Sequence, residues 1–235
     1  MNILAIGAHP DDVEILCAGT LALFARQGHN VFMASFTCGD MGDMDVPPEE
    51  LARLRRAESE ASAAVIGARL LWPAIMDEHV FPSEVQRRLM IDLIREVDPD
   101  VILTHSPNDY HPDHRYVSQL VFDSYFQKGL PHIPNQTRPA CRFGETQVYY
   151  MDNIAGIDFQ PTEYVDVSSV METKRRMLRC HKSQFKAVSE LAGRDLEQLI
   201  NLQSEFRGLA GGCAYAEGFR RLESWQRGLA RRLLP

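Results

Sequence analysis

The sequence predicts an α/β fold: a mostly parallel sheet sandwiched between helices, with a less regular C-terminal part. Two observations predict it. Short β-rich runs alternate with helical stretches of roughly ten to twenty residues, the pattern of right-handed βαβ units. Acidic and imidazole side chains also gather directly after two of the strands. Open α/β sheets bind ligands at that edge, the carboxyl ends of their strands.

The elements follow in order. Residues 2–8 read as a buried strand. The stretch 15–27 carries Leu16, Leu21 and Phe24 at helical spacing until Gly28 stops it, and 31–37 is a second strand. Residues 38–46, rich in Gly and Asp, read as a long loop. Pro47 and Pro48 precede Glu49 and Glu50, an acidic first turn of a helix running to about Ile66, with Gly67 as its stop. A short strand is expected over 70–72. Ser83 with Gln86 forms a capping box for a helix to Val97, with Val85, Leu89, Leu93 and Ile94 on one face. A strand over 101–105 and a helix over 112–127 follow. Further strands are expected over 146–151 and 163–167. Ser169 with Glu172 reads as a capping box opening a helix to about Gln184, and two or more helices are expected to complete the chain. No repeat, low-complexity segment or linker divides residues 1–235, so a single domain is expected.

Composition narrows the function. The chain has 235 residues, 45% of them hydrophobic and 24% charged, enough for one core without staples. A formal net charge of -7 argues against nucleic acid as a partner. No apolar run approaches the ~18 residues of a membrane span, and the first strand is too short for a signal peptide. Five scattered cysteines without a CxxC pair fit reduced thiols and a cytoplasmic setting. Near the C-terminus Leu222, Trp225, Leu229 and Leu233 fall at helical spacing among arginines. This stripe is expected to pack on the core or on a sister subunit of a homo-oligomer rather than on a membrane.

The chemistry lies in two clusters. The first strand runs into Ala8-His9-Pro10-Asp11-Asp12-Val13-Glu14. The later strand runs into His105, Asp109, His111, Asp113 and His114. Taken singly, either cluster reads equally well as turn and helix-capping residues. Taken together they converge at one sheet edge, where crowded carboxylates are costly without a cation. Imidazole and carboxylate are also the ligand types that Zn²⁺ accepts.

Ala8-His9-Pro10-Asp11-Asp12 and His111-Pro112-Asp113-His114 resemble the two signatures of the LmbE-like, or PIG-L-like, zinc-dependent N-acetylglucosamine deacetylases. The likeness extends through Arg55-Arg56-Ala57-Glu58, Asp77, His181-Lys182-Ser183-Gln184 and Tyr215-Ala216-Glu217-Gly218-Phe219. Val13 between Asp12 and Glu14 is similar to the bacterial branch that includes the bacillithiol-pathway deacetylase. The resemblance implies a Rossmann-like hydrolase that frees acetate and an amine from an N-acetylated amino sugar or its conjugate. It implies zinc ligands His9, Asp12 and His114, and Asp11 as general base. His111 would stabilise the oxyanion, held by Asp113. Arg55, Asp77, His181 and Tyr215 are the substrate-side candidates. For each of these four an ordinary alternative stands: an Arg55–Glu58 pair on a helix surface, a turn aspartate, a helix C-terminal histidine, and a packed tyrosine. At the level of function, hydrolysis of another small-molecule conjugate, or zinc binding without turnover, also stands.

Overall fold

The computed structural model describes residues 1–133, 146–185, 193, 195–223 and 233–235. Its seven-stranded sheet has the order β3-β2-β1-β4-β5-β7-β6. Strands β1 (Asn2–Gly7), β2 (Asn30–Ser35), β3 (Arg69–Leu71), β4 (Val101–Thr104) and β5 (Gln147–Met151) run parallel. Strands β6 (Glu163–Asp166) and β7 (Ala216–Arg221) close one edge as antiparallel neighbours. The mostly parallel sheet expected from the sequence is therefore the one observed.

Side chains of β1 alternate between two cores. Ile3 and Ala5 enter the core that holds helices α2 (Ala18–Arg26) and α6 (Met171–Leu178). Leu4 and Ile6 enter the one that holds α4 (Glu84–Val97) and α5 (Pro112–Tyr125). A strand buried on both faces reads as a continuous apolar run, which is why residues 2–8 were legible. α3 (Pro48–Val65) contacts α6 on the first face, and its Ala63 joins that core.

Several boundaries differ from the sequence pattern. The helix expected over 15–27 is two, α1 (Asp12–Leu16) and α2, broken at Cys17. The break frees two backbone amides, Gly19 N–H and Thr20 N–H, which donate to the Glu217 carboxylate at 2.9 and 2.8 Å. A partner 198 residues away in sequence replaces a local cap, and no local pattern reports that. The Ser83 cap forms as expected, its side chain accepting from Gln86 N–H. Val85, however, is 77% exposed rather than part of the packed face. The Ser169 capping box does not form. Residues Ser168–Val170 make a 3-10 turn, α6 opens without a side-chain cap, and Glu172 instead pairs with Arg179 at 2.9 Å. α6 ends at Leu178, well short of Gln184.

Helix α7 (Leu196–Gly211) is one of the helices expected in this part, and it is followed by strand β7, which the sequence pattern did not show. β7 escaped notice because it buries Glu217 and carries Gly218, neither a strand former. In the C-terminal stripe, Trp225 and Leu229 lie outside the described residues, as does Cys141. Cys17, Cys38, Cys180 and Cys213 are free thiols. Among the described residues no helix is long and apolar enough to cross a membrane.

Candidate metal centre and active site

The site forms where β1 and β4 lie side by side, because β1 leads to β2 on one side while β4 pairs on the other. The two chain exits diverge there and leave a crevice, the switch point of an open α/β sheet. His9, Asp11 and Asp12 follow β1. His105, Asp109 and Tyr110 follow β4, and His111 through His114 open α5. The two clusters therefore meet.

The donor groups of three side chains face one another. His9 Nδ1 lies 3.3 Å from His114 Nε2, His114 Nε2 lies 3.3 Å from Asp12 Oδ1, and His9 Nδ1 lies 3.5 Å from Asp12 Oδ2. Ligands about 2.0–2.1 Å from a tetrahedral ion sit about 3.3–3.4 Å apart, so the two nitrogens are spaced as two corners of such a site, with one Asp12 oxygen beside each. The outer nitrogens are engaged in a way that leaves the inner lone pairs free. His9 Nε2 meets Asp113 Oδ2 at 3.3 Å and His114 Nδ1 meets Asp109 Oδ2 at 3.1 Å. A carboxylate behind each ring fixes the tautomer and raises its basicity. Burial disfavours charge on both rings, yet Asp113 and Asp12 lift His9 to about 10, and Asp12 and Asp109 lift His114 to about 9. The carboxylates draw positive charge to this spot, the charge that a bound cation would supply.

Two neighbouring rings fit less well as ligands. His105 lies fully buried, stacked on His114 with centroids 3.9 Å apart. Its Nε2 accepts the Ala8 amide at 3.0 Å, so that lone pair is spent, and its 3.1 Å approach to Asp12 Oδ2 is a polar contact. His111 caps its own helix, its Nδ1 accepting the Asp113 amide at 3.2 Å. A neutral imidazole has one lone pair. With Nδ1 occupied, His111 carries its proton on Nε2, which cannot then bind a cation but can donate. Burial first, then His9 and His114, lower its pKa, in keeping with a neutral ring.

Asp11 is 8% exposed and sits at φ 113, a left-handed backbone conformation that costs energy outside glycine. Arg55 holds it there. Its Nη2 donates to the Pro10 carbonyl and lies 3.5 Å from Asp11 Oδ1. Burial raises the Asp11 carboxyl to about 6, with Arg55 opposing. Arg55 is itself buried, and a Cβ at Gly39 (φ +71) would come within 2.6 Å of its side chain, so only glycine lets the loop over 38–46 close on it. The alternative of a surface Arg55–Glu58 pair is not realised. Glu58 instead accepts from Ser183 N–H at 2.9 Å and from its hydroxyl at 2.6 Å.

The remaining candidates are placed differently from expectation. The Asp113 carboxylate backs His9, and only its backbone amide holds His111, so the expected Asp113–His111 side-chain bond is replaced. Asp77 borders the pocket, but Oδ1 accepts Gly39 N–H at 2.9 Å and Oδ2 accepts Met41 N–H at 3.4 Å. Its carboxylate folds the loop rather than standing free for sugar hydroxyls. His181 is fully buried, with Nε2 2.9 Å from Glu14 Oε1, off the pocket wall. Glu14 in turn accepts the Ser62 hydroxyl. Tyr215 packs against the core under the Arg175 guanidinium, 5.5 Å from its ring centre, away from the pocket.

The pocket itself encloses about 740 Å³, within the range of small-molecule sites. Besides His9, Asp11, Asp12, Arg55, His111 and His114 it is lined by Tyr110, Glu78 and Gln184. Ile15 and the α7 residues Leu196, Leu199, Leu202 and Phe206 form an apolar wall. The sequence reading missed these. The three-to-four-residue apolar spacing in α7 was a legible signal for a helix face, but not for a pocket.

A family profile described as "PIG-L: GlcNAc-PI de-N-acetylase" matches residues 4–125, which carry eight of the ten candidate site residues, all but His181 and Tyr215. The diacetylchitobiose deacetylase of Thermococcus kodakarensis is 30% identical, over 93% of this chain and 82% of that protein. A probable N-acetyl-α-D-glucosaminyl L-malate deacetylase 2 of Bacillus cereus is 25% identical, over 80% of this chain and 86% of that one. Among solved structures, the N,N'-diacetylchitobiose deacetylase of Pyrococcus horikoshii superposes with a TM-score of 0.81 at 28% identity, over 94% of this chain and 83% of that chain. With both signatures at one crevice and this coverage of the chain, the protein belongs to the PIG-L: GlcNAc-PI de-N-acetylase family of deacetylases.

Proposed function

We propose that this enzyme is a zinc-dependent N-deacetylase that acts on an N-acetylglucosamine-type sugar or its conjugate and releases acetate and a free amine. The observation that carries the reading is the triangle of His9 Nδ1, Asp12 and His114 Nε2, with Asp11 buried beside it but outside it. The names of the relatives supply the substrate class. His9, Asp12 and His114 would hold the ion, which when bound polarises an acyl oxygen and lowers the pKa of water.

The chain's own residues do the rest. Asp11, ionised at neutral pH, takes a proton from the attacking water as it adds to the amide carbon. His111 Nε2–H donates to the oxygen that becomes negative in the tetrahedral intermediate. It does so as a neutral ring, since its Nδ1 is spent on the Asp113 amide. Asp11, now protonated, returns that proton to the departing nitrogen as the C–N bond breaks. Arg55 keeps the Asp11 carboxylate in place throughout.

The direct test is acetate and free-amine release from N-acetylglucosamine and diacetylchitobiose by zinc-loaded protein, with an acetyl-lysine peptide beside them. Sugar turnover with a slow peptide supports the reading. Equal rates leave an amide hydrolase of other specificity, and release from none of the three overturns the reading. His9→Ala and His114→Ala are each expected to lose most bound zinc at equilibrium dialysis, since metal sites lose affinity steeply with each ligand. Full stoichiometry in both variants removes the site. The pH profile has a sign. Asp11 works ionised, so kcat/KM is expected to fall as pH drops through about 6. No alkaline limb is expected from His111, whose pKa lies below its ordinary value. A profile flat down to pH 4.5 would contradict the assignment of Asp11.

A further inference from the structure

Asp77 is spent on the loop, yet the next residue turns its side chain to the pocket. Glu78 lines the pocket with its side chain 57% exposed, and its Oε1 lies 3.3 Å from His111 Nε2. Its backbone is fixed from both directions. φ is 60°, in the left-handed region that non-glycine residues adopt at a cost. Its amide donates to Asp113 Oδ2 at 2.8 Å, the same oxygen that backs His9 at 3.3 Å. Asp77 adds a second anchor, its own amide donating to Asp40 Oδ1 at 2.9 Å. Glu78 is thus an acceptor-only group, solvated at the pocket mouth and held in register with the reacting centre.

We propose that Glu78 is the specificity carboxylate of this site, accepting a hydrogen bond from a substrate hydroxyl next to the acetamido group; this rests on the deacetylase reading above. A carbonyl oxygen that takes the His111 Nε2 proton lies beside Glu78 Oε1, because those two atoms are 3.3 Å apart. In a 2-acetamido sugar the carbons flanking the amide carry oxygens, and their hydroxyls are the donors nearest that carbonyl. On binding, such a hydroxyl replaces the His111 ring as the partner of Glu78 and frees Nε2–H for the reaction. A substrate without that hydroxyl leaves Glu78 paired with His111, competing with the carbonyl for the same proton. Discrimination then comes from an acceptor left without its donor, which binding sites enforce strongly.

The test is a cycle between residue and hydroxyl. KM and kcat are measured for N-acetylglucosamine and for its 1-deoxy and 3-deoxy analogues, with zinc-loaded wild type, Glu78→Ala and Glu78→Gln. Binding of the corresponding amino sugars is followed by calorimetry in parallel. The wild type is expected to lose about tenfold or more in kcat/KM on removal of one of the two hydroxyls, the scale of a hydrogen bond to a charged group. Glu78→Ala is expected to show the loss with the full sugar and no further loss with that analogue. Glu78→Gln, which keeps an acceptor oxygen, is expected to recover part of it, mainly in KM. Zinc content is expected to be unchanged in both variants. Equal losses on all three sugars, or none on any, overturn the proposal. If wild type cleaves no sugar but binds the amino sugar through a hydroxyl-dependent contact that Glu78→Ala abolishes, the deacetylase reading fails and the Glu78 site stands. If that contact survives Glu78→Ala, both fail.

Discussion

Asp11→Asn is expected to keep its zinc and lose turnover by roughly 10²–10⁴-fold, the scale of general base catalysis. The physical case rests on the position of the carboxylate. Asp12 turns its oxygens toward His9 and His114, whereas Asp11 faces Arg55 at 3.5 Å. Adjacent aspartates thus divide into one that faces the two imidazoles and one that does not. The unusual φ of 113 at Asp11 is what sends the two side chains different ways. Asparagine tolerates left-handed backbone better than most residues, so the variant keeps the fold and the loop. It removes the charge that accepts the proton and the group that returns it to the leaving nitrogen. Zinc content by atomic absorption and single-turnover acetate release check the two halves separately. Lost zinc would make Asp11 a ligand, and near wild-type release would end its role as the base.

The largest effect on stability is expected far from the chemistry, at Glu217. Its carboxylate lies 2.6 Å from Lys174 Nζ, with both side chains 2% exposed. It also accepts from Gly19 N–H, Thr20 N–H and the Thr20 hydroxyl, the last at 2.6 Å. One anion therefore neutralises a buried ammonium and caps the N-terminus of α2, where free amides and the helix dipole favour negative charge. The fit is close, since a Cβ on Gly19 would come within 2.7 Å of Val167 and 3.0 Å of Glu217. Glu217→Ala strands Lys174 without a partner in the interior, a change that costs about 3–5 kcal/mol. For a chain of this length that corresponds to a fall of roughly 6–20 °C in Tm. Adding Lys174→Met is expected to restore a good part of it, because the stranded charge goes too. Thermal unfolding of the single and double variants measures both steps. A single variant within about 2 °C of wild type would show that the pair contributes little.

Much of this protein was determined by its sequence alone. Continuous apolar runs at 3–6 and 101–103 specify strands buried on both faces, and Pro48, Ser83 and Pro112 mark helix starts through backbone rules that act within four residues. The convergence of His9, Asp12 and His114 was legible for the same reason, since each sits in a short motif placed by its strand or helix. What only the tertiary structure decided involves partners far apart in the chain. Cys17 interrupts a helix because Glu217 can cap the new end, and β7 forms because β5 and β6 offer it edges. Asp113 backs His9 instead of His111, Asp77 closes a loop and leaves Glu78 to the pocket, His181 pairs with Glu14 off the pocket wall, and Tyr215 packs under Arg175. Local sequence sets backbone preference and which residue types are present. Which atom a carboxylate or ring nitrogen meets depends on how distant segments pack, because a hydrogen bond is made or lost within a fraction of an ångström.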